Sequence, residues 1–561
     1  MKLRLVVPLI VLPLVLSGCA VNRDKLGFVQ NESSKSYQEA YEPVRQALWH
    51  GYFDQVHYLL NQNSFKQVEQ EFTDSKGKKH TKKQIQQRSD VEEMQQLMEE
   101  SSELAIVERG LLTLNLGDYQ RALHFFNAAE KMLELNVPLS YDKNGNPIQH
   151  AIEHEEDYIL RGYEKVMILN YKALCYLLMG DRKAYNVTRR AIDYQQEEWE
   201  RAQKKLALNQ SIIDQRVKRI KNYQRDLKKW IKQHQAWINS EKNTIREQKS
   251  VIRRYKTSNP YKADAASKNI AEAELNLARY QKKLGELEFR LNEINKSPYL
   301  AINNEKAKRE AGLLTNAYVN PFADYLNGMM MEFDGFDDAT MRQNARISYN
   351  KVVELNPQCK DAKLASRTVD RPLPERYKLV HVILADGFAP IWQEKRGYYT
   401  LKKTNDTLIR WAEPVEVLTR TEGARVLIGR VKRPFSPLTR MSSIVRTDLF
   451  DNMLTDSIVG VQSLLVSGTA GLFASELEPV LEQAKKKPEI RSWLTLPQTV
   501  YVARIAVPKK RKEIVIQTLD KEGRVLASRE CELSDNGPTV IYAVSYDKHM
   551  IAFKNGYSWV N

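Results

Sequence analysis

The chain contains very little cysteine, and its four cysteines are far apart. Once Cys19 is set aside, only Cys175, Cys359 and Cys531 remain, so no disulfide framework is expected. Paired-cysteine metal motifs, glycine-rich phosphate loops and the G-x-S-x-G elbow are all missing. Because these absences remove the usual signatures of catalysis, we expect a protein that is not an enzyme and has no cofactor.

Uniformly apolar runs long enough to cross a bilayer are also missing, and the apolar stretch at residues 5–16 has only the length of a signal-peptide core. It follows a basic start and leads into Ser17-Gly18-Cys19, a small-residue cleavage site. We therefore predict that residues 1–18 are removed and that Cys19 carries acyl chains such as palmitate, which together anchor a protein firmly. The alternative is an ordinary secretory signal in which Cys19 is incidental.

The residue after Cys19 is Ala20, not the aspartate that commonly retains lipoproteins in the inner membrane. This predicts a lipid-anchored protein on the periplasmic side of the outer membrane. The formal charge of +16 becomes +14 without the signal peptide and favours anionic partners. Outer-membrane lipid, envelope proteins and anionic glycan are the candidates, whereas nucleic acid is normally absent from that compartment.

With 561 residues and 42% hydrophobic composition, the chain can form several folded units. Helical patterns run almost unbroken from the end of a flexible tether to about residue 365. They include units similar to tetratricopeptide repeats, at about residues 103–136, 166–194 and 320–357. In the first unit, Gly110 lies where the two helices cross and Gly117 lies in the turn.

Stacked repeats of this kind leave a concave groove. We expect the groove to pack a partner helix or inserted elements of the chain itself, because its residues are mostly apolar. The alternative is that these side chains simply complete a core. The candidate groove residues are Leu104, Val107, Leu111, Leu114, Asn170, Leu174, Leu177, Tyr325 and Met329.

Heptad patterns between the second and third units predict an antiparallel coiled-coil hairpin that projects on the order of 50 Å. The outgoing arm has Leu206, Ile213, Ile220 and Leu227 in one core position and Ile231, Ile238, Ile245 and Ile252 in the other. Pro260 marks the turn. The return arm has Ile270, Ala273, Leu277, Tyr280, Leu284, Leu287, Leu291 and Ile294. The pattern leaves open whether the arms pair within one chain or between chains.

The outgoing arm, residues 195–257, has a net charge of +10, whereas the return arm is balanced. This charge is either a solvated helix face or a contact surface for an acidic partner or an anionic polymer. Trp230 and Trp237 lie one heptad apart beside the seam and fit either seam packing or that contact.

Short β-branched and aromatic runs replace the helical pattern after about residue 371 and predict an antiparallel β domain. The runs are Leu379–Leu384, Val415–Thr419, Val426–Val431, Val500–Ala506, Ile514–Thr518 and Thr539–Ser545. An amphipathic helical segment, about residues 447–484, interrupts them.

The predicted fold class is therefore α+β and multidomain, with repeats, an inserted hairpin and a β-rich domain. The predicted divisions are residues 1–18 (signal), 19–36 (tether), 37–194 (repeats), 195–300 (hairpin), 301–370 (further repeat) and 371–561 (β-rich domain).

One motif suggests chemistry: His150, Glu153 and His154 have the H-x-x-E-H order of inverted zinc peptidases. The two histidines could share a metal and Glu153 could activate water, but the motif supplies only two ligands. A polar helix start after the turn at 142–147 explains the same residues.

The runs Asn320–Gly328, Leu355–Pro357 and Arg491–Pro497, with Ala503-Arg504, resemble bacterial outer-membrane lipoproteins that contain tetratricopeptide-like repeats. The resemblance covers most of the chain except the hairpin, which is an elaboration. Members of that family have no assigned activity, and the resemblance implies proximity to regulators of cell-wall synthesis.

Three functions follow from these patterns. The first is a lipid-anchored scaffold that binds other envelope proteins. The second is a binder of anionic glycan or lipopolysaccharide through the basic arm, and the third is a zinc metallopeptidase at His150 and His154.

Overall fold

A computed structural model describes residues 34–56, 65–73, 79–87, 103–135, 158, 160–295, 297–301, 319–335, 338–371, 373–399, 407–455, 460, 464, 488–535 and 537–555. The helices are α1 (Ser34–Trp49), α2 (Glu103–Asn115), α3 (Tyr119–Leu135), α4 (Gly162–Leu178), α5 (Lys183–Tyr255), α6 (Pro260–Asn295), α7 (Pro298–Ala301), α8 (Phe322–Asp334), α9 (Ala339–Leu355), α10 (Lys360–Thr368) and α11 (Met441–Thr455).

The strands are β1 (Phe65–Thr73), β2 (Lys79–Gln87), β3 (Tyr377–Asp386), β4 (Ile391–Tyr399), β5 (Thr407–Val415), β6 (Gly423–Ile428), β7 (Val431–Pro434), β8 (Ser436–Arg440), β9 (Thr499–Pro508), β10 (Glu513–Leu519), β11 (Val525–Glu532), β12 (Thr539–Tyr546) and β13 (His549–Lys554). The mixed α and β composition agrees with the predicted class: a helical N-terminal half is followed by a sheet region.

The hairpin β1–β2 interrupts the region where almost unbroken helix was predicted, so that prediction was wrong at residues 65–73 and 79–87. Both strands are rich in polar residues and show no apolar repeat. The sequence Asp74-Ser75-Lys76-Gly77 between them is typical of a turn, and it could have indicated a β-hairpin.

Five strands in the order β13-β12-β3-β9-β8 form the main sheet, and β12 pairs with β3 in parallel. The prediction of an antiparallel β domain was therefore wrong for this pair. Side-chain alternation identifies the faces of a strand but not the direction of its neighbour. The continuous burial of β3 and β12 is typical of central strands covered on both faces.

The main sheet lies between two layers. On one face, Leu379, Ile383 and Tyr542 join a core shared with the N-terminal helices. On the other face, Val380 and Val382 pack in a second core with the four-stranded sheet β11-β10-β6-β7. The helical half and the sheet region are thus packed together rather than separated by a linker.

Three smaller predictions also need correction. The run Val426–Val431 is not one strand, since a turn at Gly429 separates β6 from β7. The run Val415–Thr419 is not a strand, since β5 ends at Val415. The interrupting helix α11 begins at Met441, earlier than predicted, and most residues of the predicted segment after Thr455 lie outside the described part of the chain.

Helix α5 has 73 residues and runs from the second helix pair into the projecting arm without a break at residue 194. It contains no glycine or proline, and at 1.5 Å per residue it is about 110 Å long. Helix α6 returns beside it, as the ring pair Trp237–Tyr280, with centroids 5.2 Å apart, and the amide pair Gln224–Asn295 at 2.6 Å show. The two arms pair within one chain and run antiparallel.

All predicted seam residues of the hairpin are at least partly buried. The fully buried ones are Ile213, Ile220, Leu227, Ile238, Ala273, Leu287 and Ile294. The residues of the predicted seam therefore lie on the less exposed face of both arms.

Candidate functional site

The predicted lipidation residue Cys19 and the motif residues His150, Glu153 and His154 lie outside the described part of the chain. Within the described ranges, no group of three or more histidine, cysteine, aspartate or glutamate side chains is arranged to hold a metal ion. No described helix has both the length and the apolar character needed to span a membrane. The zinc and lipid predictions therefore stay predictions.

The predicted groove residues are all buried. All of them except Asn170 belong to the large core shared by helices and sheet. Asn170 donates to the side chain of Asn320 at 3.4 Å. None of these residues therefore lies on the surface of the folded chain.

The groove is covered by a segment of the chain itself, residues 491–497, which precedes β9. Glu108 on α2 accepts hydrogen bonds from the backbone N–H groups of Leu494 at 2.5 Å and Thr495 at 3.1 Å. Glu164 on α4 accepts from the backbone N–H of Trp493 at 2.8 Å. Two carboxylates from successive helix pairs thus bind the backbone of one inserted segment.

Burial raises the pKa of Glu108 to about 7, although the N–H groups and the Tyr37 hydroxyl at 2.9 Å favour the charged form. Burial also raises the pKa of Glu164, which accepts a further hydrogen bond from the Tyr158 hydroxyl at 2.7 Å. Every one of these partners is a donor, so the two carboxylates act as structural acceptors inside the protein.

Trp493 fills the groove between the helix pairs. Its ring centroid lies 5.9 Å from that of Tyr171 and 6.4 Å from that of Phe126, and its indole N–H donates to Thr495 at 3.2 Å. Residues 491–497 thus pack between two helix pairs. The burial of the candidate groove residues in the shared core fits the alternative that they complete a core.

In the hairpin, aromatic rings lie on the surface of α5. Tyr223, Trp230 and Trp237 follow one another at seven-residue intervals, and the two tryptophans are 42% and 39% exposed. The rings of Tyr223 and Trp230 have centroids 6.3 Å apart, and Tyr280 from α6 extends the group beside Trp237. These four residues form what we call the aromatic stripe.

Basic side chains surround the aromatic stripe. Between Lys218 and Lys232, α5 carries seven lysines and arginines and a single acid, Asp226. The basic residues are exposed, so this part of α5 combines a strong positive potential with accessible aromatic rings.

The base of the hairpin is fixed to the rest of the protein by a buried arginine. The Arg216 guanidinium donates to the Tyr299 hydroxyl at 2.7 Å, and that hydroxyl donates to the backbone carbonyl of Met453 on α11 at 3.1 Å. These contacts fix the root of the hairpin against α11, and the aromatic stripe begins about two helical turns further along α5.

Sequence reasoning identified Trp230 and Trp237 but missed Tyr223 and the two groove glutamates. Tyr223 was recognisable because it continues the heptad spacing of the tryptophans. The signal for Glu108 was a charged residue within the apolar helix 104–114. Comparison of the chain with protein families, with curated proteins and with solved structures finds no match.

Proposed function

We propose that the protein is a lipid-anchored scaffold on the periplasmic side of the outer membrane and that the hairpin is the element that binds an acidic envelope protein. The exposed aromatic stripe within a basic surface carries this proposal, because aromatic and arginine side chains dominate protein interfaces. The groove is a weaker candidate, since residues 491–497 already occupy it.

The proposed architecture is a set of tetratricopeptide-like repeats with an inserted coiled coil. A Cβ atom at Gly110 would lie 2.8 Å from the Phe126 ring, and one at Gly328 would lie 3.1 Å from the Tyr349 ring. Such close approach at a small residue supports repeat-like helix pairs. The buried seam of α5 and α6 supports the coiled coil.

The mechanism is tethering. Acyl chains on Cys19 fix the protein to the membrane, and the hairpin, which projects on the order of 50 Å, presents the aromatic stripe along its side. A partner held in this way meets other membrane-bound proteins at high effective concentration.

Cross-linking in intact cells tests the binding role. The double variant Trp230→Ala, Trp237→Ala should reduce capture of partner proteins about tenfold or more, since anchor aromatics contribute most to interface affinity. Phe289→Ala is the matched control, because Phe289 is 67% exposed on α6 but lies outside the stripe. Equal capture by all three proteins would contradict the proposal.

The anchor has a separate test. Cys19→Ser should abolish incorporation of labelled palmitate and release the protein from the membrane fraction. Continued membrane association of an unacylated protein would contradict tethering through Cys19.

An anionic glycan or lipopolysaccharide is the second candidate partner, and the aromatic stripe favours it too, since flat rings offer apolar faces to sugar rings. Binding to purified glycan should decline steeply as salt is raised, because it depends on exposed charge. Co-sedimentation with glycan that the tryptophan variant loses, without any protein cross-link, would favour this function over the scaffold.

A further inference from the structure

A cavity of about 290 Å³ lies outside the hairpin, where the third helix pair meets the main sheet. Its walls come from the C-terminal ends of α8 and α10, from the start of α9, and from β3, β7 and β9. This volume is near the lower end of the range for small-molecule sites.

Four arginines line this cavity: Arg342, Arg371, Arg433 and Arg504. The lining contains a single acid, Glu332, and it is bound by Arg504, whose Nε lies 3.0 and 2.9 Å from the two carboxylate oxygens. A further acid, Asp361, lies 3.7 Å from Arg433.

The four arginines together with Glu332 and Asp361 have a formal charge of +2. The carbonyl ends of α8 and α10 at the cavity edge offset part of this excess, as the 2.7 Å hydrogen bond from Arg342 to the Gly335 carbonyl illustrates. The remaining charge is positive, and two of the arginines are accessible. Arg371 is exposed, and the Arg433 side chain is 39% exposed.

Part of the cavity lining is apolar. Leu364, Val369, Leu373 and Leu379 contribute to it. A ligand that fits both parts of the lining carries an anionic group and an apolar body. Guanidinium groups match phosphate geometry with paired hydrogen bonds.

We propose that this cavity binds a small phosphomonoester with an apolar body. A phosphate monoester carries a charge of about −1.5 to −2 at neutral pH, which balances the excess of the arginine group, whereas a single carboxylate leaves part of it unbalanced. The site is independent of the hairpin and of the scaffold function.

Titration calorimetry on the full-length protein in detergent at low salt tests the proposal, with phenyl phosphate as the probe. Arg371→Gln and Arg433→Gln should each weaken binding about tenfold or more, since each removes charge-assisted hydrogen bonds. Arg367→Gln is the matched control, because Arg367 is exposed on α10 but does not line the cavity. Its affinity should stay within about twofold of the parent.

Inorganic phosphate and succinate complete the panel. Weaker binding of inorganic phosphate than of phenyl phosphate would support a role for the apolar lining residues. No binding of phenyl phosphate at millimolar concentration would overturn the proposal, as would tighter binding of succinate or an equal loss in Arg367→Gln. The tryptophan variant of the hairpin should bind phenyl phosphate normally, so the two proposals can fail separately.

Discussion

Buried carboxylates connect the helices to the sheet region, and two of them have opposite electrostatic behaviour. Burial raises the pKa of Glu108 to about 7. Burial alone would also raise the pKa of Glu332, but the Arg504 guanidinium lowers it to about 2. The difference follows from their partners: neutral donors surround Glu108, whereas a cation binds Glu332.

Glu108 should make the stability depend on pH near neutrality. Its pKa is higher in the folded state than the ordinary value of 4.5, so its contribution is greatest at low pH. That contribution declines as the pH rises from 4.5 to 7, by on the order of 3 kcal/mol. Urea unfolding of the parent and of Glu108→Gln across this range should show that the parent's advantage in unfolding free energy becomes smaller as the pH rises. Parallel profiles would contradict the raised pKa.

Glu332 should act at acidic pH instead. Its contribution is present above pH 4.5 and is lost as the pH falls towards 2. Glu332→Gln removes the charge that Arg504 binds, and we expect a loss of about 3 to 5 kcal/mol in unfolding free energy at pH 7. Glu354→Gln, at an exposed position on α9, should change the stability by less than about 0.5 kcal/mol. Similar losses in both variants would rule out a special role for the buried pair.

At the scale of elements, the structural role of a glycine depends on whether it lies in a turn or within a helix. Gly117 joins α2 to α3 with a φ of +88°, and a Cβ there would lie 2.5 Å from the ring of Phe553 on β13. Gly285 lies within α6, and a Cβ there would have no neighbour within 4 Å. The first glycine permits a turn to contact the sheet, whereas the second only weakens a helix.

Alanine at these two positions should therefore have opposite effects. Gly117→Ala should destabilise the protein by about 2 to 4 kcal/mol, through the backbone conformation and the collision with Phe553. Gly285→Ala should stabilise α6 by about 0.5 to 1 kcal/mol. Thermal unfolding followed by circular dichroism measures both. A shift in the same direction for the two variants would contradict this account.

Local patterns in the sequence predicted many of the helices and turns. The glycine turn at Gly117 and the apolar seam of the hairpin are encoded within short stretches of chain, so spacing alone reveals them. The parallel pairing of β12 with β3 and the insertion of residues 491–497 depend on contacts between distant segments. Glu108 within an apolar helix indicates a buried partner, but backbone N–H groups bind Glu108 and Glu164 there. Every sequence carries such groups, so no residue pattern shows which segment supplies them.

At the scale of the whole molecule, helices and main sheet share one core, and Trp493 is buried in it. Trp493→Ala should lower the free energy of unfolding by about 3 to 5 kcal/mol. Amide hydrogen exchange should show the same loss of protection in α2, α4 and β3, because opening one part exposes the other. A loss confined to the helices would mean that the two regions unfold separately.

The unbroken α5 has a mechanical consequence. A helix without glycine or proline has no built-in hinge where it leaves the body. Force applied at the far tip is therefore transmitted as a bending load to the Arg216–Tyr299 contact and to the helices packed around the root of α5. A pull by a bound molecule would therefore strain the contacts at the root of α5, because the arm has no flexible joint that could bend first.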